Sequence, residues 1–145
     1  MFKFRLDPLI TLRDNKLKER QRELAQAYNA RRILEEHIRE IDDKLEEGIV
    51  AARSVMQPGK TVDIQSLIGY RRQEMFLRAQ QEDLLQKIQM VDEEIEKRLA
   101  AVVEANKDLK IIEKLKEKRH EKYLGEESKA EAKMMDEIAS NRQRR

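Results

Sequence analysis

The sequence predicts an all-α fold: a long antiparallel two-helix coiled-coil hairpin whose second helix is longer than the first. Charged residues make up 41% of the 145 residues, against about 25% in typical domains, so too few apolar side chains remain for a globular core. Apolar residues recur on average every 3.5 positions in two stretches, a spacing that keeps one helix face against a partner. A Pro-Gly pair separates the two stretches.

The first arm is predicted over residues 8–56, with a mostly apolar seam in steps of three and four from Leu6 to Val55. Asp7 is expected to cap this helix, and Pro8 to occupy its first position, where the missing N–H is harmless.

Three arginines interrupt the first seam, namely Arg13, Arg20 and Arg31. Polar residues in such a seam lower stability while helping to define register or partner choice. Alternatively, their aliphatic stems lie along the seam and their charged ends reach water.

The turn is predicted over residues 57–62 and the second arm over 63–124. Pro58 disfavours a continuing helix, Gly59 tolerates a positive φ, and Asp63 is suited to cap the next helix. A hairpin closed here would place residue i opposite about residue 119 − i, so Pro8 would lie near Ile111.

Residues 125–145 extend past the first arm as a basic helical overhang or a frayed tail. A parallel homodimer is the competing arrangement, but it gives the Pro-Gly turn no role. The sequence therefore favours a monomeric hairpin forming a single coiled-coil domain over residues 1–145.

No catalytic, cofactor or metal site is predicted. The chain has no cysteine, which excludes disulfides, thiolate catalysis and cysteine-bound zinc and suits a reducing compartment. The segment Gly59-Lys60-Thr61 lacks the earlier glycine of a phosphate-binding loop, because position 54 is Ser54. Glu117 and His120 form only one copy of a motif that di-iron bundles need twice. A two-helix rod offers no dry pocket, so we expect no enzyme activity.

No secretory peptide or membrane-spanning helix is expected, since the longest apolar run is Leu99 to Val103.

Basic residues concentrate in 1–22 and 107–145, whereas 35–47 and 80–106 are acidic. In a hairpin the two basic stretches share one end. Acidic residues interrupt each basic run and aromatic interleaving is absent, so we expect an acidic protein partner and no nucleic acid. A nucleic-acid binder and a generic coiled-coil scaffold or dimerisation protein remain the alternatives.

An apolar patch is predicted on the outer face of the second arm. Its members recur at helical spacing and are Ile68, Arg72, Met75, Phe76 and Ala79. Such a patch suggests docking; ordinary exposed apolar residues or a contact in a larger bundle are the alternatives.

The two ends of the chain carry a family resemblance. The opening, from Phe2 to Arg13 (FKFRLDPLITLR), and the segment Glu23-Leu24-Ala25-Gln26-Ala27 resemble the bacterial flagellar export protein family called FliJ. The C-terminal pattern looks like that family too: residues 113–119 (EKLKEKR), Tyr123, and residues 135–139 (MDEIA) with trailing arginines.

The resemblance implies a component of the flagellar type III export apparatus without enzyme activity, similar to the central stalk of rotary ATPases. Its partners would be the export ATPase ring, the membrane export gate and export chaperones. It would be cytoplasmic and associated with the inner membrane at the flagellar base, without inserting into it.

Two contact surfaces follow from joining the resemblance to the charge and apolar patterns. The ring-contact candidates are Arg5, Arg13, Lys114, Lys116, Lys118 and Arg119. The export-gate candidates are the outer patch of Ile68, Arg72, Met75, Phe76 and Ala79.

Overall fold

The structure, a computed structural model, describes residues 1–59 and 61–145. It contains two α-helices, α1 (Asp7–Val55, 49 residues) and α2 (Ile64–Gln143, 80 residues), and these described residues include no β-strand. The chain forms two compact units, a terminal unit of residues 1–21 and 101–145 and a turn unit of residues 22–100. The predicted class, an all-α helical hairpin with a longer second helix, is confirmed.

Burial follows the 3.5-residue seams. Every position of the first seam, from Leu6 to Val55, is buried or half-buried, and so is every position of the second seam, from Leu67 to Tyr123, except Arg119. Apolar burial on one stripe is therefore what holds the helices together. The most buried side chains are Phe4, Ala27, Ile41, Leu77, Ile95, Ala105, Leu109 and Ile112.

In the terminal unit, the segment that precedes α1 packs against α2. Phe4 is only 5% exposed and forms a buried cluster with Leu109 and Ile112. Phe2 contacts α2 closer to the C-terminus of that helix, with its ring centroid 4.8 Å from that of His120 and 5.4 Å from that of Tyr123. Two aromatic side chains thus fix the N-terminus to α2.

Asp7 has a different role from the one expected. The N–H of Ile10 donates to the Leu6 carbonyl at 3.2 Å, so α1 begins at Asp7 itself, one residue earlier than predicted. The Asp7 carboxylate accepts a hydrogen bond from Lys116 Nζ at 2.8 Å. It therefore connects the first turn of α1 to α2 within the terminal unit.

In the turn unit, α2 begins as the sequence predicts. Gly59 has a positive φ of 85°, a conformation that glycine adopts without steric cost. The Asp63 carboxylate accepts from the Gln65 N–H at 3.1 Å and from Ser66 Oγ at 2.7 Å, which is the geometry of a helix N-cap. The Ser66 hydroxyl in particular lowers the pKa of Asp63. Lys60, within the predicted turn 57–62, lies outside the described residues.

The helices pair antiparallel in each unit, in a slightly shifted register. Paired residue numbers add to 121 or 123 instead of 119, because helical side chains lean toward the N-terminus of their own helix and antiparallel partners lean in opposite directions. The pairs are Arg13 with Asp108 and Lys116 with Asp7 in the terminal unit, and Arg31 with Asp92, Gln81 with Asp42 and Arg98 with Glu23 in the turn unit.

Beyond Tyr123, α2 continues through Gly125 to Gln143, and every side chain from 124 to 145 is exposed. Across residues 1–59 and 61–145, neither helix offers an apolar stretch long enough to cross a bilayer.

Candidate protein-contact surfaces

All six predicted ring-contact residues lie in the terminal unit, but half of them are engaged within the chain. Arg13 is half-buried and its Nη1 donates to the Asp108 carbonyl at 2.7 Å. Lys116 Nζ is bonded to Asp7. The Arg119 guanidinium carbon lies 5.8 Å from the centroid of the Phe4 ring, within the range of a cation–π contact. These three side chains stabilise the terminal unit.

The other three ring-contact candidates are available to a partner. Arg5, Lys114 and Lys118 are exposed, and none of them forms an ion pair with any residue that the structure describes. Lys114 and Lys118 are four residues apart on α2, so they project from the same helix face.

One arginine on each helix bonds to the opposite helix in the turn unit. Arg31 Nε donates to Asp92 at 2.6 Å, and its Nη1 donates to Glu35 at 2.6 Å. The hydrogen bond and charge of Asp92 raise the pKa of Arg31. On α2, Arg98 Nη1 donates to the Glu23 carbonyl. Arg31 and Arg98 thus make directional contacts between the helices that help to fix their register.

Sequence reasoning located the polar positions in the first seam and missed their partners. A signal was present, because acidic residues next to the second seam, such as Asp92 and Asp108, lie within arginine reach once the helices pair. An acidic residue does not always identify the acceptor, however. Arg13 donates to the backbone carbonyl of Asp108 and not to its carboxylate, and every residue in a helix has a carbonyl.

The predicted outer patch lies in the turn unit with all five members exposed. Met75 and Phe76 are 61% and 63% exposed, and Ile68 is 47% exposed. Arg72 makes no ion pair with the described residues. The patch therefore presents apolar surface together with one unpaired guanidinium.

Glu74, beside the patch, is held by two neighbouring arginines. Its carboxylate accepts from Arg78 Nε and from Arg71 Nη1, each at 3.1 Å. These bonds, that from Arg78 foremost, lower the pKa of Glu74. The charge of Glu74 is thus compensated by its neighbours on α2.

A groove in the turn unit was not predicted. It has a volume of about 300 Å³ and lies between the end of α1 and the start of α2, with Gly48 and Ala52 facing Leu67 and Tyr70. A Cβ added at Gly48 would meet nothing within 4 Å, so the missing side chain leaves open space. Small residues at seam positions were the available signal.

The two histidines, His37 and His120, are exposed. Among the described residues, no group of three or more His, Asp or Glu side chains is arranged to hold a metal ion.

Fold and surfaces together define a class: a helical, coiled-coil-like hairpin that exposes both basic and apolar side chains. Comparison with known families gives the particular one, because the Flagellar FliJ protein family matches residues 2–145. The chain belongs to this family and is a structural component of the flagellar export apparatus. No curated protein and no solved structure matches it.

Proposed function

We propose that the protein is a stalk that engages the export ATPase ring through its terminal unit and links the ring to the membrane export gate. The family match over residues 2–145 is the observation that carries the proposal. The protein would act as a monomeric hairpin in the cytoplasm, associated with the inner membrane at the flagellar base without entering it.

The terminal unit has two features suited to ring contact. Residues 124–145 are exposed along an unpartnered stretch of helix, which is the shape that can enter a ring. Arg5, Lys114 and Lys118 offer charges that the chain does not use. Arg13, Lys116 and Arg119 support this surface through Asp108, Asp7 and Phe4.

The outer patch is the proposed gate contact. Phe76 and Met75 offer exposed apolar area beside Arg72, and a mixed apolar and cationic surface is typical of protein interfaces. The same exposed surfaces would allow the protein to escort export chaperones, a role that rests on the family alone.

Charge reversal tests the ring contact. The variant Lys114→Glu/Lys118→Glu should lose binding to the purified export ATPase in a pull-down, because both side chains are exposed and unpaired. Its matched control is Arg39→Glu/Lys44→Glu, which reverses two exposed, unpaired charges of the turn unit and should leave binding unchanged. Both variants should keep the helical circular-dichroism signal.

Equal binding by the two variants would reject the proposed ring contact. Failure of the unmodified protein to bind the ATPase would favour the alternative, a generic coiled-coil scaffold or dimerisation protein without a motor partner.

A further inference from the structure

Lysines line one face of α2 in the terminal unit. There are seven of these lysines, all exposed, and successive members are three, four or seven residues apart in the sequence. We call this face the lysine ridge; its members are Lys107, Lys110, Lys114, Lys118, Lys122, Lys129 and Lys133.

Helical geometry makes the ridge continuous. At about 100° per residue, the seven side chains fall within an arc of roughly 140°, and the stretch from first to last is about 40 Å long. The buried side chains of Leu109 and Ile112 project from the opposite side of the helix. The ridge therefore faces away from the hydrophobic contact with α1.

The ridge lysines form no ion pair with any described residue. Three other lysines do: Lys18 bonds Asp14 at 3.0 Å and Lys87 bonds Asp83 at 3.2 Å, each across one helical turn, and Lys116 bonds Asp7 at 2.8 Å. The face therefore gathers seven unpaired ammonium groups along one side of α2.

The ridge also places lysines one helical turn apart. Four pairs of its lysines are separated by four residues, for example Lys110 with Lys114 and Lys114 with Lys118. Like charges at this separation repel, while Glu113, Glu117 and Glu121, each three residues after a ridge lysine, offset part of that repulsion. An acidic partner would relieve the remainder.

We propose that the lysine ridge is a docking surface for a narrow acidic protein surface, such as a helix or groove wall that carries carboxylates. Lys114 and Lys118 are also ring-contact candidates, but the inference rests on the placement and the unpaired state of all seven lysines and not on the family match. Ammonium groups act as point charges, so they accept many arrangements of carboxylates, whereas arginine favours fixed bidentate geometry.

The width of the ridge favours a protein over an anionic bilayer. Glu113 and Glu117 border the arc on one side and Glu126 on the other, while Glu121 lies within it. A flat bilayer spans more than the arc and would repel the bordering carboxylates. A narrow acidic surface contacts the lysines without reaching the bordering carboxylates.

Binding of fluorescent poly-L-glutamate tests the proposal. The ridge variant replaces five lysines with glutamine and leaves Lys114 and Lys118 in place; its positions are Lys107, Lys110, Lys122, Lys129 and Lys133. The control replaces the same number of exposed, unpaired charges in the turn unit with glutamine; its positions are Arg22, Arg39, Lys44, Arg53 and Lys97. Both variants change the net charge equally.

The ridge variant should bind the polyanion about tenfold or more weakly at low salt, and its affinity should depend less steeply on salt concentration. The control should change affinity by less than about twofold. Glutamine is a good helix former, so helicity should persist. A variant with arginine at the five ridge positions keeps the charge and should retain binding.

Equal losses in the ridge and control variants would show that only net charge matters and would overturn the proposal. Absence of poly-L-glutamate binding by the unmodified protein would overturn it as well. Ridge-dependent binding to phosphatidylglycerol vesicles without binding to the polypeptide would assign the ridge to a membrane surface instead. None of these outcomes depends on the ATPase pull-down.

Discussion

Arg31 and Asp92 join the two helices of the turn unit through a hydrogen bond of 2.6 Å between Nε and Oδ1. The bond spans 61 residues of sequence, whereas the neighbouring Arg32 bonds Glu36 and Asn29 on its own helix. Two adjacent arginines thus have different roles: Arg31 bonds α1 to α2, whereas both partners of Arg32 are on α1.

Arg31→Gln should therefore lower the melting temperature of the protein more than Arg32→Gln does. The loss should be modest, because the Arg31 side chain is 39% exposed and water screens the pair. A double-mutant cycle with Asp92→Asn, followed by thermal denaturation, would measure the coupling. Strictly additive effects of the two substitutions would show that the bond has no energetic role.

The buried ring of Phe4 should make the largest single contribution near the N-terminus. Phe4→Ala removes a side chain that is 5% exposed and packed on Leu109 and Ile112. We expect a loss of about 3 kcal/mol in the free energy of unfolding, as for other buried aromatic truncations, measured by chemical denaturation. Phe76→Ala is the matched control, since Phe76 is 63% exposed, and should change this free energy by about 0.5 kcal/mol or less.

The burial of Phe4 also shows what sequence pattern reasoning can reach. The seams of α1 and α2 were legible because burial repeats with the helix period, which residue type alone reveals. Phe4 precedes α1, so the helical repeat of apolar residues does not extend to it. Its cluster with Leu109 depends on how the N-terminal segment folds back onto α2. The periodicity of apolar residues therefore does not predict this contact.

The candidate surfaces also contain features that the sequence predicts and features that it does not. Exposure of Phe76 and Met75 was predictable, because their positions lie off the seam. The engagement of Lys116 by Asp7 was not, because it depends on a register shift of a few residues produced by the lean of side chains. Charge patterning located the basic end without separating the lysines that support it from those that are free.

The cap of α2 should make stability depend on acidic pH. The pKa of Asp63 is lowered from its ordinary 3.8, mainly by the Ser66 hydroxyl, so folding favours the carboxylate. Its contribution is complete above the unfolded-state pKa and is lost as pH falls through the lower folded-state pKa.

Asp63→Asn keeps a capping group and removes the charge. The variant should be slightly less stable than the unmodified protein at neutral pH, and the difference should shrink below about pH 4. Denaturation at a series of pH values measures this. A difference that stays constant from neutral to acidic pH would assign the effect to something other than ionisation of Asp63.

Phe76 should matter for export and not for folding. Its ring is exposed next to Met75, so Phe76→Ala removes contact area that only a partner uses, and flagellar export measured in cells should fall. Met90→Ala removes a side chain that is 69% exposed outside the patch and should leave export unchanged. Equal export by the two variants would contradict the gate contact, while a large loss of folding stability in Phe76→Ala would mean that the ring is buried.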